Sequence, residues 1–260
     1  MVSLILGSHG SLDPFVALRA VLASYFLALA TYTYNDITDF DVDRINRSNR
    51  PIAAGKSTKN ELVIVVSFLY GSALILALSI NLNTALVASI FTALGIAYSH
   101  PSVNLKDKFP LKTMVTSIGA ALSSIIGGIA VSNISIPVIY AALLFFAFFF
   151  ILGPLGDIAD LRGDRAVGRR TFPIVIGIKQ TIMLMMSVPI AIAVMTISAH
   201  DIIGMHALGA YVTVGVCFGT MALLYYVSKK AEDTARVISI RPKMRFFFVL
   251  LQLSLLLGFL

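Results

Sequence analysis

Two short stretches of the chain carry acids at matching intervals. The first reads Asn35-Asp36-Ile37-Thr38-Asp39-Phe40-Asp41-Val42-Asp43-Arg44, and the second reads Gly156-Asp157-Ile158-Ala159-Asp160-Leu161-Arg162-Gly163-Asp164-Arg165. They agree at Asp36/Asp157, Ile37/Ile158, Asp39/Asp160, Asp43/Asp164 and Arg44/Arg165, and each follows a long apolar run. If each stretch continues the helix before it, Asn35, Asp39 and Asp43 fall at i, i+4 and i+8 on one face. Asp36, Asp39 and Asp43 fit a similar arc, as do Asp157, Asp160 and Asp164. Carboxylates stacked on one face repel one another, and a hard cation among them reverses the sign. Magnesium takes oxygen ligands, keeps several waters, and is often held by one or two carboxylates plus substrate phosphates. Asp36, Asp39, Asp43, Asp157, Asp160 and Asp164 are therefore candidate Mg2+ ligands, with a diphosphate bridged between the two faces. A single acid after a membrane helix is ordinarily a solvated loop residue; three at matched spacing, twice, are not accounted for that way. Asp41 has Arg162 as its counterpart and is expected to face solvent or to support its neighbours.

The elements that must position these acids follow from composition. The 260-residue chain is 58% hydrophobic and 13% charged, with mean hydropathy +0.90; soluble domains are about one-quarter charged. The apolar runs are long enough to span a bilayer and lack the alternation of barrel strands, so the fold class is all-α, a polytopic transmembrane bundle. Eight spans are expected, at roughly Pro14–Tyr34, Glu61–Ile80, Thr84–Ser99, Lys112–Val131, Ser135–Leu155, Gln180–Ser198, Met205–Ser228 and Met244–Leu260. Every Lys and Arg except Arg19 falls in or beside the loops 36–60, 100–111, 156–179 and 229–243. By the positive-inside rule those loops are cytoplasmic. Both acidic stretches then lie on the cytoplasmic face of a multi-pass cell-membrane protein. Four helices separate the repeats, so residues 1–260 are expected to form one domain of two four-helix halves. A parallel repeat of this kind turns both acidic edges toward a central cavity open to the cytoplasmic side. The net charge of +7 is explained by topology rather than by nucleic acid. Cys217 lies in an apolar run and reads as a buried small hydrophobe. The opening Met1–Leu6 has no basic start and is too short for a signal peptide. No obligate protein partner is evident.

With those residues in hand, the chain resembles the UbiA superfamily of intramembrane prenyltransferases. Asn35, Asp39 and Asp43 match the family's Asn-x-x-x-Asp-x-x-x-Asp pattern, and Asp157, Asp160 and Asp164 match its second aspartate motif. Arg50-Pro51-Ile52-Ala53-Ala54-Gly55 is similar to its Arg-Pro-…-Gly loop, and Thr171-Phe172-Pro173-Ile174-Val175-Ile176-Gly177 to its Thr-x-Pro-…-Gly loop. The resemblance implies a polyprenyl diphosphate lying in the bundle, bridged by Mg2+ to both motifs. Departure of the diphosphate leaves an allylic cation, which an acceptor attacks. It implies catalytic roles for Asn35, Asp39, Asp43, Asp160 and Asp164. Metal ions neutralise charge on such a leaving group, and basic residues at the same edge add to this. Candidates are Arg47, Arg50, Arg165, Arg169 and Arg170, of which Arg47 and Arg50 are favoured for their closeness to the first motif. Tyr98 and Lys106 stand, at longer spacing, where the family carries Tyr-x-x-x-Lys, and are carried over as substrate-binding candidates. Phe145, Phe146, Phe148, Phe149 and Phe150 precede the second motif and are candidates to wall off water or to stabilise a cation; packing or lipid contact is the better expectation for most. The family usually has nine helices, with one complete span before the first motif's helix. Only Met1–Asp13 precedes it here, so that span is expected either upstream or dispensed with.

The segment Asp43-Arg44-Ile45-Asn46-Arg47-Ser48-Asn49-Arg50-Pro51 is similar to the version found in archaeal digeranylgeranylglyceryl phosphate synthases and in chlorophyll synthases. The compact length favours the first. That branch implies transfer of a geranylgeranyl group to geranylgeranylglyceryl phosphate, forming the second ether bond of archaeal lipids. A phosphorylated lipid acceptor, with membrane lipids around it, suits the basic edge. The competing readings are an aromatic-acceptor prenyltransferase of quinone, haem or chlorophyll type, and a cation transporter. Transporters place coupling acids near the bilayer midplane, whereas these lie at one edge.

Overall fold

The computed structural model describes residues 1–8, 10–45, 52, 55–230 and 233–260. Its helices are α1 (Val2–Ser8), α2 (Pro14–Thr38), α3 (Phe40–Ile45), α4 (Lys59–Leu78), α5 (Leu82–Ser99), α6 (Leu111–Ala130), α7 (Ile136–Ala159), α8 (Leu161–Ala166), α9 (Phe172–Val175), α10 (Ile178–Ala199), α11 (Ala207–Ser228) and α12 (Thr234–Phe259), with a 3-10 turn at Leu105–Asp107. Eight of these, α2, α4–α7 and α10–α12, are long and apolar enough to cross a membrane. The all-helical bundle and its eight spans are as expected from hydropathy.

Local sequence fixes the helix ends. Pro14 opens α2 while the Asp13 carboxylate accepts from Phe15 N at 2.8 Å. Thr58 and Glu61 form a reciprocal capping box on α4, satisfying two otherwise orphaned donors. The Asn81 side chain accepts from Thr84 N at 2.8 Å to start α5. Arg19, the one cation away from the basic loops, donates to Ser79 O at 2.8 Å and so closes the carboxyl end of α4. The spans differ from expectation mainly at their loop ends. α2 runs to Thr38, α7 to Ala159, and α12 begins at Thr234, upstream of Arg241, Pro242 and Lys243. Hydropathy marks the segment suited to lipid; the hydrogen-bonded helix goes on beyond it.

Packing divides the bundle into two groups that meet along α6 and α7. α2, α4, α5 and α6 pack around Leu27, Leu69, Phe91 and Ile126. α7, α10, α11 and α12 pack around Ile151, Leu155, Met185, Leu224 and Met244, with a second cluster at Leu144, Phe148 and Leu255. In the second group α11 and α12 touch through glycine: a Cβ on Gly209 would stand 2.3 Å from Gly258 Cα. The short α1 was not expected, since seven residues cannot span. It packs on α6, α7 and α12, burying Val2, Leu4 and Leu6. Its approach to α6 depends on Gly127, where a Cβ would meet Leu4 N at 3.0 Å. Ser3 and Ser124 share a hydrogen bond of 2.5 Å there.

Candidate active site

The two acidic stretches share one backbone plan, and the dihedrals at their break residues agree to within a few degrees. Each follows its long helix through a single break residue, Asp39 at φ −97°, ψ 12° and Asp160 at φ −98°, ψ 8°, then resumes as the short α3 or α8. The i to i+4 bonding survives each break. Asp39 N donates to Asn35 O and Asp43 N to Asp39 O, both at 2.8 Å; Asp160 N donates to Gly156 O at 3.0 Å and Asp164 N to Asp160 O at 3.1 Å. The i to i+4 register assumed from spacing is therefore kept for Asn35, Asp39 and Asp43 and for Asp160 and Asp164, and α3 packs against α8.

A cavity of about 290 Å³ opens between these faces. Asn35, Asp39, Asp43, Asp157, Asp160 and Asp164 all line it, with Tyr98, Lys112 and Arg169 beside them. Further in, its walls are Ala28, Phe91, Leu94, Val115, Ala120 and Leu122. Thr31, Thr116 and Ser123 also line it, so acids at the mouth give way to a mostly apolar interior, which matches a ligand with a charged head and an apolar tail. Asp39, Asp43, Asp157 and Asp164 are buried, and Asp36 and Asp160 are half-buried. Asp36 is not among the lining residues. Asp41 is exposed, as expected. Of the five phenylalanines before the second motif only Phe149 lines the cavity. Phe148 is in the core, Phe145 packs edge-on to Phe248, and Phe146 stacks on Phe150. The walls come from α2, α3 and α5–α8, together with Arg169; α10, α11 and α12 stand behind α7, so the two halves do not share the cavity evenly.

Among the described residues three basic side chains pair with Asp39, Asp157 and Asp164, and one of them, Lys112, was not singled out from sequence. Lys106, carried over as a substrate-binding candidate, lies 2.7 Å from Asp39 Oδ1. Its ammonium also donates to Thr38 Oγ1 at 2.6 Å and Asn35 Oδ1 at 3.4 Å, so its three donors are engaged on the first motif. Lys112 lies 2.7 Å from Asp157 Oδ1 and 3.1 Å from Asp164 Oδ2. Arg169 reaches Asp39 at 2.7 Å, Asp107 at 2.6 Å and Asp164 at 3.1 Å, tying the first motif to the second. Arg169 had been weighed beside Arg165 and Arg170; those two are exposed, whereas Arg169 is 5% exposed. The favoured Arg47 and Arg50 lie outside the described residues. Asn35 Nδ2 donates to Asp39 Oδ2 at 2.9 Å while Ser99 Oγ donates to Asn35 Oδ1 at 3.1 Å, which orients the first carboxylate. Burial opposes ionisation of Asp39, but Arg169 and Lys106 outweigh it and hold the carboxyl below its ordinary value. Burial pulls Lys106 below the usual lysine range. For Arg169 burial is outweighed by Asp39 and Asp164, which raise it.

Among the described residues no three His, Cys, Asp or Glu side chains stand close enough to cage a metal ion. The donor set still fits one kind of metal. Asp157 Oδ2 is buried with no hydrogen-bond partner on a residue that lines the cavity. Magnesium is bound by one or two carboxylates completed with water and phosphate oxygens, not by an all-protein cage.

The model of the UbiA prenyltransferase family matches residues 1–256. A curated relative named digeranylgeranylglyceryl phosphate synthase, from Methanosphaera stadtmanae, is 31% identical over 169 residues, covering 63% of this chain and 60% of the relative. The match thus spans about three-fifths of that relative's length. A solved structure described as giving insights into digeranylgeranylglyceryl phosphate synthase in membranes superposes with TM-score 0.76 at 19% identity, covering 99% of this chain and 90% of the other. A UbiA homologue from Archaeoglobus fulgidus, solved bound to GPP and Mg2+, superposes with TM-score 0.72 at 15% identity, covering 96% and 93%. At these identities the solved structures establish the fold.

Proposed function

The chain belongs to the UbiA prenyltransferase family, and on that premise we propose that it transfers a geranylgeranyl group from its diphosphate to the free hydroxyl of geranylgeranylglyceryl phosphate, with Mg2+. The observation that carries this reading is the convergence of Asn35, Asp39 and Asp43 with Asp157, Asp160 and Asp164 on one cavity whose inner walls are mostly apolar. The donor class is supported by the A. fulgidus homologue bound to GPP and Mg2+, and the acceptor by the name of the Methanosphaera relative. Bound Mg2+ supplies positive charge to the departing diphosphate. The chain's own residues do the rest. Asn35 sets the plane of the Asp39 carboxylate, and Lys106 and Arg169 fix its position. Asp43, Asp160 and Asp164 complete the two faces. Tyr98 stands on the wall beside them, and Arg47 and Arg50 complete the proposed substrate contacts. The apolar inner walls hold the prenyl chain and exclude water from the reacting carbon. The positive-inside rule, applied to the basic loops, supports a mouth on the cytoplasmic side of the cell membrane, within reach of a phosphorylated lipid headgroup.

The test is an acceptor panel. Purified protein receives Mg2+ and labelled geranylgeranyl diphosphate with geranylgeranylglyceryl phosphate, with an aromatic quinone precursor, or with neither. Label is expected in the ether lipid alone, with stoichiometric pyrophosphate. Label in the aromatic acceptor overturns the proposed acceptor. Full activity in both Asp39→Ala and Asp160→Ala overturns the site.

A further inference from the structure

Among the described residues three cations pair with the motif carboxylates, and their surroundings differ in a way that separates their roles. Arg169 donates through Nε, Nη1 and Nη2 to three carboxylates from three segments: Asp107 in the 3-10 turn, Asp164 in α8 and Asp39 after α2. A planar fork held at three points cannot leave one partner without straining the others. Lys106 has its three donors on Asp39, Thr38 and Asn35, is buried, and is not among the residues lining the cavity. Lys112 is unlike both. It is the second residue of α6, lines the cavity, and its side chain is 16% exposed. Its two carboxylate partners, Asp157 and Asp164, belong to one motif. An ammonium has three donors, so one is not taken by those two acids. Its four-carbon stem lets the charge swing while the backbone stays.

A divalent cation held by Asp157 and Asp164, even one that uses the open Asp157 Oδ2, stands beside Lys112 Nζ, which lies 2.7 Å from Asp157 Oδ1 and 3.1 Å from Asp164 Oδ2. Two cations at that range repel strongly in a partly buried site. A diphosphate at the mouth offers Lys112 a second anion along the same wall. Resting on the reading given under Proposed function, we propose that Lys112 is a substrate-binding residue that acts as an exchangeable counter-ion: it neutralises Asp157 and Asp164 and transfers its charge to the diphosphate when a divalent cation takes those carboxylates. Lys112 then opposes binding of metal alone and favours binding of metal together with diphosphate. It couples the two ligands with opposite signs, which a lysine serving only to hold α6 against α7 cannot do.

The experiment measures both affinities on the full chain in detergent micelles. Mn2+ binding is followed by electron paramagnetic resonance without any diphosphate. Binding of geranylgeranyl thiolodiphosphate, an inert analogue, is followed calorimetrically with Mn2+ saturating. In Lys112→Met, Mn2+ alone is expected to bind about fivefold or more tighter, and the analogue about tenfold or more weaker, as loss of one close charge partner implies. Lys112→Arg, which keeps the charge, returns both toward wild type. Both affinities falling together, or neither moving, overturns the proposal. Lys112→Gln is run beside Lys112→Met; if both fail to give a monodisperse, cooperatively melting protein, Lys112 is a structural residue and the proposal falls. If the wild-type chain binds neither Mn2+ nor the analogue, the functional reading itself fails. If wild type binds both and only the opposite signs are missing, the counter-ion role fails alone.

Discussion

Replacing Arg169 by methionine removes the positive charge at the point where three carboxylates converge. The side chain is 5% exposed and makes ion pairs of 2.7 Å to Asp39, 2.6 Å to Asp107 and 3.1 Å to Asp164. Taking one partner from a buried pair costs about 3–5 kcal/mol, because the remaining charge is left without compensation. Two features of this site set the value near the lower end. Asp107 is 33% exposed at its side chain, so water screens it and its contact counts for little. Asp39 keeps Lys106 at 2.7 Å and Asp164 keeps Lys112 at 3.1 Å. The expected loss is about 3 kcal/mol, which for a chain of this length lowers the melting temperature by about 6–12 °C. Arg169→Lys restores the charge but not the three-point fork, and is expected to recover roughly half of that. Cys217 is the chain's single cysteine and is buried, so a maleimide dye that fluoresces on reaction reports unfolding directly. An Arg169→Met protein melting within 2 °C of wild type, a margin well below the change worked above, would refute the argument that this residue braces the two motifs. Equal losses in the methionine and lysine variants would show that shape rather than charge is responsible.

Other perturbations test separate links of the argument. Asn35→Ala removes the donor that orients Asp39 at 2.9 Å and is expected to lower turnover about 10–100-fold with a small change in melting, read by pyrophosphate release and the same dye. Gly209→Ala must separate α11 from α12, since its Cβ would lie 2.3 Å from Gly258 Cα. It is expected to cost about 1–3 kcal/mol, whereas Gly215→Ala, with nothing within 4 Å, is expected to be neutral or to stabilise by up to about 1 kcal/mol; thermal melting of the pair decides. Chelating divalent ions is expected to stop pyrophosphate release and re-addition of Mg2+ to restore it; release that continues unchanged in chelator excludes a divalent-ion step.

What the sequence made legible follows from what each signal measures. Spans are a property of composition over about 20 residues, so all eight were expected in their order, with errors confined to ends where helix and membrane edge part company. The two acidic faces were legible because spacing along a helix is itself geometry, and the repeat doubled the signal. The counter-charges were not legible in the same way. Lys112 opens a span and Arg169 lies in a loop full of basic residues, where topology already explains a cation. Pairing Arg169 with Asp39 requires knowing that loop 156–179 folds over the end of α2, a contact between segments 130 positions apart. The repeat of Asp39 as Asp160 was the available hint, since two matched clusters of acids need counter-charges near both. The small α1 gave no signal because its seven residues carry no periodicity long enough to read; its burial depends on glycines in α6.

The cavity walls come from α2, α3 and α5–α8 with Arg169, while α10, α11 and α12 stand behind α7. A saturating mutational scan of the chain should divide along that line. In α10–α12 hydrophobic exchanges that preserve volume should be tolerated freely, because those helices answer only to their neighbours and to lipid. An inhibitor seated in the cavity would face escape substitutions drawn from the walls alone, and five of those positions are the acids proposed to carry turnover.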